Sequence, residues 1–389
     1  MIRRLRPIID IAVLVFLASL PVAASAQDTC KTPLVRVSVV KDADTVRLRI
    51  AGNYRISDLV SKKPLLEGKY LGDSFLKPSG AGFDIGGSAI DSPAVEIEPL
   101  GGARAYINER VFRGEIKIYN ISGKVMVINT VDLEEYLYGV IRNEVSTWWP
   151  MEALKAQAIA ARTYALNQIN ESKGKDYDVY ADVNSQVYGG IFSEKWRTNR
   201  AVEQTRGQVL TYKGAVFPTF FHATCGGSTF DAANLWNIDL PPLKGVKCNW
   251  CRKSPHYYWE RWMPVNEAEQ RLDEAGYPVG DILGFDVIRR DHSGRISELR
   301  VKGTKGDSVL LAKDFRRIMG SDTVRSTNFK VTVIGEYVAF EGLGWGHGVG
   351  LCQWGAYYMS RAGKKADEIL YFYYPGSKIM DNYGEKNAK

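Results

Sequence analysis

The spacing of apolar and polar positions changes character along the chain. Between residues 35 and 130 the runs are short and alternate, so Val35 to Val40, Thr45 to Ile50, Arg104 to Ile107 and Glu115 to Ile118 read as β-strands. Glycine-rich punctuation, such as Ser79-Gly80-Ala81-Gly82 and Gly101-Gly102, separates them. At Asp132 the period becomes helical: Leu133, Leu137, Val140 and Ile141 share one face, with Asp132 and Glu135 placed as a capping box. This predicts a helix from Asp132 to about Asn143. A loop through Ser146, Thr147, Trp148 and Trp149 then reaches Pro150, which suits the first position of a second helix running to about Ile169. Ala153, Ala156, Ala158, Ala160 and Ala161 leave that helix little side-chain bulk, so it is expected to be buried with neighbours close to its backbone. Strand pattern returns from Gln208 to Ala223. Residues 280 to 340 alternate in several short runs around one helix near Ala312 to Met319. Glycines at 342, 344, 346, 348 and 350 open the last part, which continues in helices from about Leu351 to Ala362 and Ala366 to Tyr374. The predicted class is α+β: a β-rich N-terminal part packed with a helical segment and further β-strands.

The first residues bear on the compartment. Arg3, Arg4 and Arg6 precede an apolar stretch from Ile8 to Leu20, interrupted by Asp10 and Ser19 and too short to span a bilayer comfortably. Ala24-Ser25-Ala26 has the small-x-small form of a cleavage site, so residues 1–26 are expected to be a cleaved signal peptide that exports a chain beginning at Gln27. An uncleaved anchor fits the interrupted stretch less well, and the residues before Cys30 lack a lipidation pattern. The remainder divides into a β-rich region over 27–110 and a second region over 111–389, with 35–376 expected to form one continuous fold. At 389 residues, 45% of them hydrophobic and 24% charged, the chain can bury a substantial core. Its formal charge of +7 is spread without the dense Lys/Arg runs of a nucleic-acid patch, so no nucleic-acid partner is expected. The charge suits a solvated mixed surface, or an anionic wall or membrane. The 21 Tyr and nine Trp offer flat faces for stacking on sugar rings, beyond those that fill the core.

Glu144 falls just after the first predicted helix and before the Ser-Thr-Trp-Trp-Pro loop. Its carboxyl could face a cleft flanked by aromatic rings, where partial burial would keep it protonated as a general acid requires. The same position suits a solvated loop glutamate or a cap for the second helix. Two pairs, His222-x-x-Cys225 and Cys248-x-x-Cys251, are spaced compatibly with a tetrahedral zinc site. A disulfide between Cys248 and Cys251, or between Cys225 and one of them, is the alternative in an oxidising compartment. Cys352, early in a predicted helix, reads as a small buried hydrophobe.

Val131-Asp132-Leu133-Glu134-Glu135-Tyr136-Leu137-Tyr138-Gly139-Val140, followed by Asn143-Glu144-Val145, Trp149-Pro150, Glu152 to Ala158 and Ala161-Arg162-Thr163-Tyr164-Ala165, closely resembles the SpoIID/LytB family. Gln186-Val187-Tyr188-Gly189-Gly190, Phe221-His222-Ala223-Thr224-Cys225-Gly226-Gly227 and Gly344 to Ala356 look like its other signatures, in the family's order. The resemblance covers roughly residues 35 to 376. It implies a lytic transglycosylase that cuts peptidoglycan between N-acetylmuramic acid and N-acetylglucosamine and leaves a 1,6-anhydro end, with Glu144 as the single acid and base. Glycoside hydrolases usually need a second carboxylate about 5 to 10 Å away. Asp182 is the nearest rival for that position, and nothing in its setting favours it. Lys155, Arg162, Gln186, Tyr188, His347 and Gln353 become candidate substrate-binding residues. Gln157 and Thr163 lie on the same helix as Lys155 and Arg162, and either a site or a structural role fits Tyr188 and His347. Structural zinc on His222, Cys225, Cys248 and Cys251 has precedent in some relatives, while others lack the cysteine at the first pair, so no cofactor is expected for catalysis. The LytB side of the family enhances cell-wall amidases, which leaves a non-catalytic glycan binder with an amidase partner as the second reading. A hydrolase using Glu144 and another carboxylate is the third.

Overall fold

In Leu34–Ala43 every second side chain at Val35, Val37 and Val39 is buried, and the strand pairs antiparallel with Lys124–Asp132. The same alternation brings Glu115–Ile121, Ala94–Pro99, Tyr54–Asp58 and Pro64–Gly68 into line beyond Lys124–Asp132, while Val179–Tyr180 joins the opposite edge in parallel. Together they form a seven-stranded sheet. A six-stranded sheet orders Arg110–Val111, Arg104–Ile107, Val46–Ala51, Leu71–Ser79, Gly82–Ile85 and Ser88–Ile90. These strands come from a computed structural model that describes residues 32–384; the expected signal peptide over 1–26, and Cys30, lie outside the described residues. The seven-stranded sheet crosses residue 110 without interruption, because Glu115–Ile121 pairs with Ala94–Pro99. Backbone pairing therefore joins the two regions that the sequence divided there.

At Asp132 the strand turns directly into helix α1 (Leu133–Glu144), whose first turn the Asp132 carboxylate caps by accepting from the Glu134 and Glu135 amides. Helix α2 (Met151–Glu171) follows, with Pro150 as its N-cap. All five of its predicted alanines are buried. Their small side chains let α2 lie between α1, α3 (Trp196–Glu203) and the C-terminal helices α7 (Gln353–Arg361) and α8 (Ala366–Tyr373). Ala156, Ile159 and Ala160 of α2 share a core with Val349, Leu351, Ile369 and Leu370. An ion pair crosses this interior: Arg162 of α2 and Glu134 of α1, both fully buried and joined by bonds of 2.8 and 2.7 Å.

Beyond α4 (Ala232–Trp236) the chain builds a second core of its own. Residues 258–343 form two three-stranded sheets with α5 (Val265–Glu274) and α6 (Ala312–Met319), packed around Trp259, Leu272, Leu299, Phe315, Phe329 and Phe340. This segment is spliced between Cys251 and the glycine-rich loop Gly344–Gly350. Sequence periodicity located α6 to the residue and missed α3 and α5.

Candidate functional site

Glu144 is the last residue of α1, one position later than its periodicity predicts, and it is only partly exposed. Its Oε1 accepts the Val187 amide at 3.0 Å, and the Gln353 side chain donates to the same carboxylate. Burial outweighs these two donors and lifts the carboxyl from 4.5 to about 7.

Several side chains hold the Val187 amide in place. Asn143 donates to the carbonyls of Gly139 and Val187 and to the Ser193 hydroxyl. Gln186 is buried: it accepts from the Tyr136 hydroxyl at 3.1 Å and donates to the Ala161 carbonyl at 3.3 Å. Tyr188 is buried as well, with its hydroxyl on Asn129 at 3.0 Å and its ring packed on Tyr136 and Phe112. A side chain on Gly139 would meet the Tyr188 ring at 2.5 Å, which accounts for the glycine there. The structure therefore corrects two expectations: Gln186 and Tyr188 do not face a sugar but lock the loop that carries Val187. Asn143 is the positioning residue that sequence reasoning passed over, although it adjoins Glu144.

Arg162 is corrected in the same sense. Its guanidinium is spent on Glu134, the Gln208 and Val202 carbonyls and the Thr205 hydroxyl, with nothing exposed. Glu134 also accepts from the Gly207 amide and the Tyr383 hydroxyl. Lys155 pairs with Glu152 at 2.9 Å, and Glu152 in turn accepts the Ala366 amide at the start of α8. Thr163 bonds the Ile159 carbonyl and the Leu210 amide inside the core.

Gln353 does meet Glu144, and its amide also lies 3.4 Å from Gln157 Oε1. Trp354, the next residue, leads into an aromatic cluster with Trp149 and Tyr357, each 5.2 Å from it between ring centroids. On another side Tyr164, whose hydroxyl senses the Glu144 charge, borders a cavity of about 150 Å³ with Phe220, Trp236 and His347. The Val349 amide donates to His347 Nδ1 at 3.1 Å, so Nε2 carries the proton and donates to the Phe221 carbonyl at 2.8 Å. Burial pushes this imidazole down to about 3, which leaves it neutral. Its ring lies 5.1 Å from Trp236, and Trp236 lies 4.4 Å from Phe220. His347 thus offers the cavity a ring face and not a free nitrogen.

The cysteines converge differently from their spacing. Cys225, Cys248, Cys251 and Cys352 place four sulfurs within 4.8 Å of one another, all buried and all as free thiols. His222 stands apart from this set, its Nδ1 bonded to the Val349 carbonyl at 3.1 Å. Cys352 takes the fourth corner because Phe221–His222 pairs in parallel with Leu351–Cys352, returning the end of the glycine loop to this point. The Cys352 sulfur accepts the Cys225 and Gly355 amides, both at 3.3 Å. Reading Cys352 as only a small hydrophobe missed it because its partners lie across the spliced segment.

The fold and site define a class: an α+β protein with one shielded carboxyl set among aromatic rings, beside a four-cysteine cluster. The family profile described as Stage II sporulation protein matches residues 121–212, and a domain of unknown function (DUF8618) matches residues 247–350. The chain is 31% identical to stage II sporulation protein D of Bacillus amyloliquefaciens over 65% of its own length and 76% of that protein. It is 34% identical to an uncharacterised protein of Brachyspira hyodysenteriae, covering 71% of this chain and 74% of that one. Similarity extends to the amidase enhancer of Bacillus subtilis, 29% identical over 62% of this chain and 40% of the enhancer. The chain belongs to the SpoIID family.

Proposed function

We propose that this protein is an exported peptidoglycan lytic transglycosylase that cleaves between N-acetylmuramic acid and N-acetylglucosamine with Glu144 as general acid and base. The observation that carries the proposal is the Glu144 carboxyl, shifted to about 7 and therefore able to give and take a proton near neutrality. Protonated Glu144 donates to the glycosidic oxygen as its bond to C1 of the muramoyl unit breaks. The C6 hydroxyl of that unit then bonds to C1, and its proton returns to the Glu144 carboxylate, leaving a 1,6-anhydro end and a regenerated acid. The Val187 amide and Gln353 donate to the carboxylate and so stabilise the form that exists between the two transfers. An internal nucleophile removes the need for a second carboxylate. Asp182 does not compete for that role, since it is exposed and accepts the Asn184 amide of its own turn.

The four thiols suit a structural zinc. Tetrahedral thiolate coordination at about 2.3 Å puts the sulfurs within about 4 Å of one another. Such an ion would tie the segment from Cys225 to Cys251 to the start of α7, next to Gln353, and takes no part in the proton transfers.

The alternative follows from the relative named amidase enhancer: the same cleft holds glycan without cutting it and serves a cell-wall amidase. Mass spectrometry of muropeptides released from peptide-stripped peptidoglycan decides. Anhydromuramoyl ends from the native protein and none from Glu144→Gln are expected. Reducing ends would indicate a hydrolase, and retained glycan binding with no release would support the enhancer reading.

A further inference from the structure

A second cavity, of about 460 Å³, adjoins the one beside His347, and Trp236 borders both. Its volume falls in the range of small-ligand sites, roughly 300 to 1,000 Å³. One wall is α4 and the other belongs to the spliced segment, which contributes Arg289, Ile296, Leu311 and Lys313. No carboxylate lines this space, although two cations do. Arg289 is exposed and makes no ion pair among the described residues. Lys313 reaches across and donates to the Leu235 carbonyl at 3.2 Å, which orients its ammonium group without neutralising it. Two cations without an ion pair among the described residues, lining a cavity together with a partly exposed Trp236, form a setting for an anionic group carried by a ring that stacks on the indole.

We infer that the spliced segment supplies an anion subsite to the glycan cleft, in which Arg289 and Lys313 bind a carboxylate of the glycan strand beyond Trp236. The inference rests on reading the cleft as a glycan site. Two sources share this chemistry: the lactyl carboxylate of a muramoyl unit without its stem peptide, and a carboxylate of the stem peptide itself. Either way the segment over residues 258–343 selects substrate and takes no part in the chemistry at Glu144.

The test measures binding separately from cleavage. Glu144→Gln is cosedimented with peptide-free glycan, with the same glycan after its carboxylates are converted to amides, and with peptide-bearing glycan. The measurements are repeated with Arg289→Gln and with Arg289→Gln/Lys313→Gln added. Arg289→Gln alone removes no contact of the fold. Amidation of peptide-free glycan is expected to weaken binding by about tenfold, the loss of one good charge-assisted contact, and the double variant to bind both forms at the weaker level. A loss confined to peptide-bearing glycan would assign the stem-peptide carboxylate instead. Equal binding of native and amidated peptide-free strands together with unchanged binding of peptide-bearing glycan in the double variant, or a double variant that keeps the preference, overturns the subsite and leaves the glycan reading standing. Failure of every glycan to bind overturns both.

Discussion

Replacing Glu144 by Gln tests the burial of its carboxyl through stability alone, independently of any substrate. In the unfolded chain this carboxyl ionises near 4.5, and in the fold near 7. Below about pH 4 both states hold the proton, and the residue contributes no pH dependence. As pH rises from 4.5 to about 7, the unfolded chain releases its proton while the fold keeps it, so ionisation favours unfolding. Above about 7 the loss is complete. At about 1.4 kcal/mol per pH unit, it amounts to about 3 kcal/mol. Gln cannot ionise. It can still accept the Val187 amide, and Gln353 can turn its amide to present an oxygen. Urea unfolding of the two proteins should therefore give curves that differ by a small constant at about pH 4 and separate by about 3 kcal/mol, in favour of Glu144→Gln, at about pH 8. Curves that stay parallel from pH 4 to 8 would refute the argument, because they would mean that Glu144 titrates alike in both states. The same shift predicts that glycan cleavage declines above about pH 7, where the acid form is lost.

Arg162→Met should cost about 3 to 5 kcal/mol of unfolding free energy, because Glu134 then remains buried without its cation, and Glu134→Leu/Arg162→Met should recover most of it. Urea unfolding reads both; a marginal loss in the single variant, accompanied by a loss of glycan affinity in the folded protein, would return Arg162 to the cleft. Elemental analysis of protein produced with added zinc should find one zinc per chain, retained by His222→Gln and lost or much weakened in Cys352→Ser. Retention by Cys352→Ser together with loss in His222→Gln would restore the ligand set that the sequence spacing suggests.

The residues that could be read without coordinates are those whose reason is local. Strand alternation, the Asp132 cap and the small side chains of α2 each follow from neighbours within one or two turns, and the structure keeps them. The helix at Ala312–Met319 was legible for the same reason. Roles that depend on distant partners were not. Gln186, Tyr188 and Arg162 are polar residues in strong motifs, and polarity in a motif suggests contact with substrate. Each instead satisfies buried groups brought by other elements: Tyr136 and Ala161 for Gln186, Asn129 for Tyr188, Glu134 for Arg162. No spacing rule pairs Glu134 with Arg162, because they face each other only when α1 packs on α2. The cysteine cluster shows the same limit, since Cys352 joins Cys225 through strand pairing across the whole spliced segment.

These displaced residues converge on a single consequence. A carboxyl raised to about 7 is unstable toward rearrangement, because any motion that admits water lowers its pKa and any motion that removes its two donors strands the charge after proton transfer. The Val187 amide must therefore stay within hydrogen-bond reach if the cleft is to admit the proposed glycan strand. Asn143 holds that loop from α1, Gln186 fastens it to α2, and Tyr188 anchors it on the strand Lys124–Asp132. Gln353 approaches from α7, whose start lies against Cys225 through the Cys352 sulfur. These motif residues thus fix the position of one amide and one side-chain donor, and those two restrain the upward shift that burial gives the carboxyl on which the proposed chemistry depends.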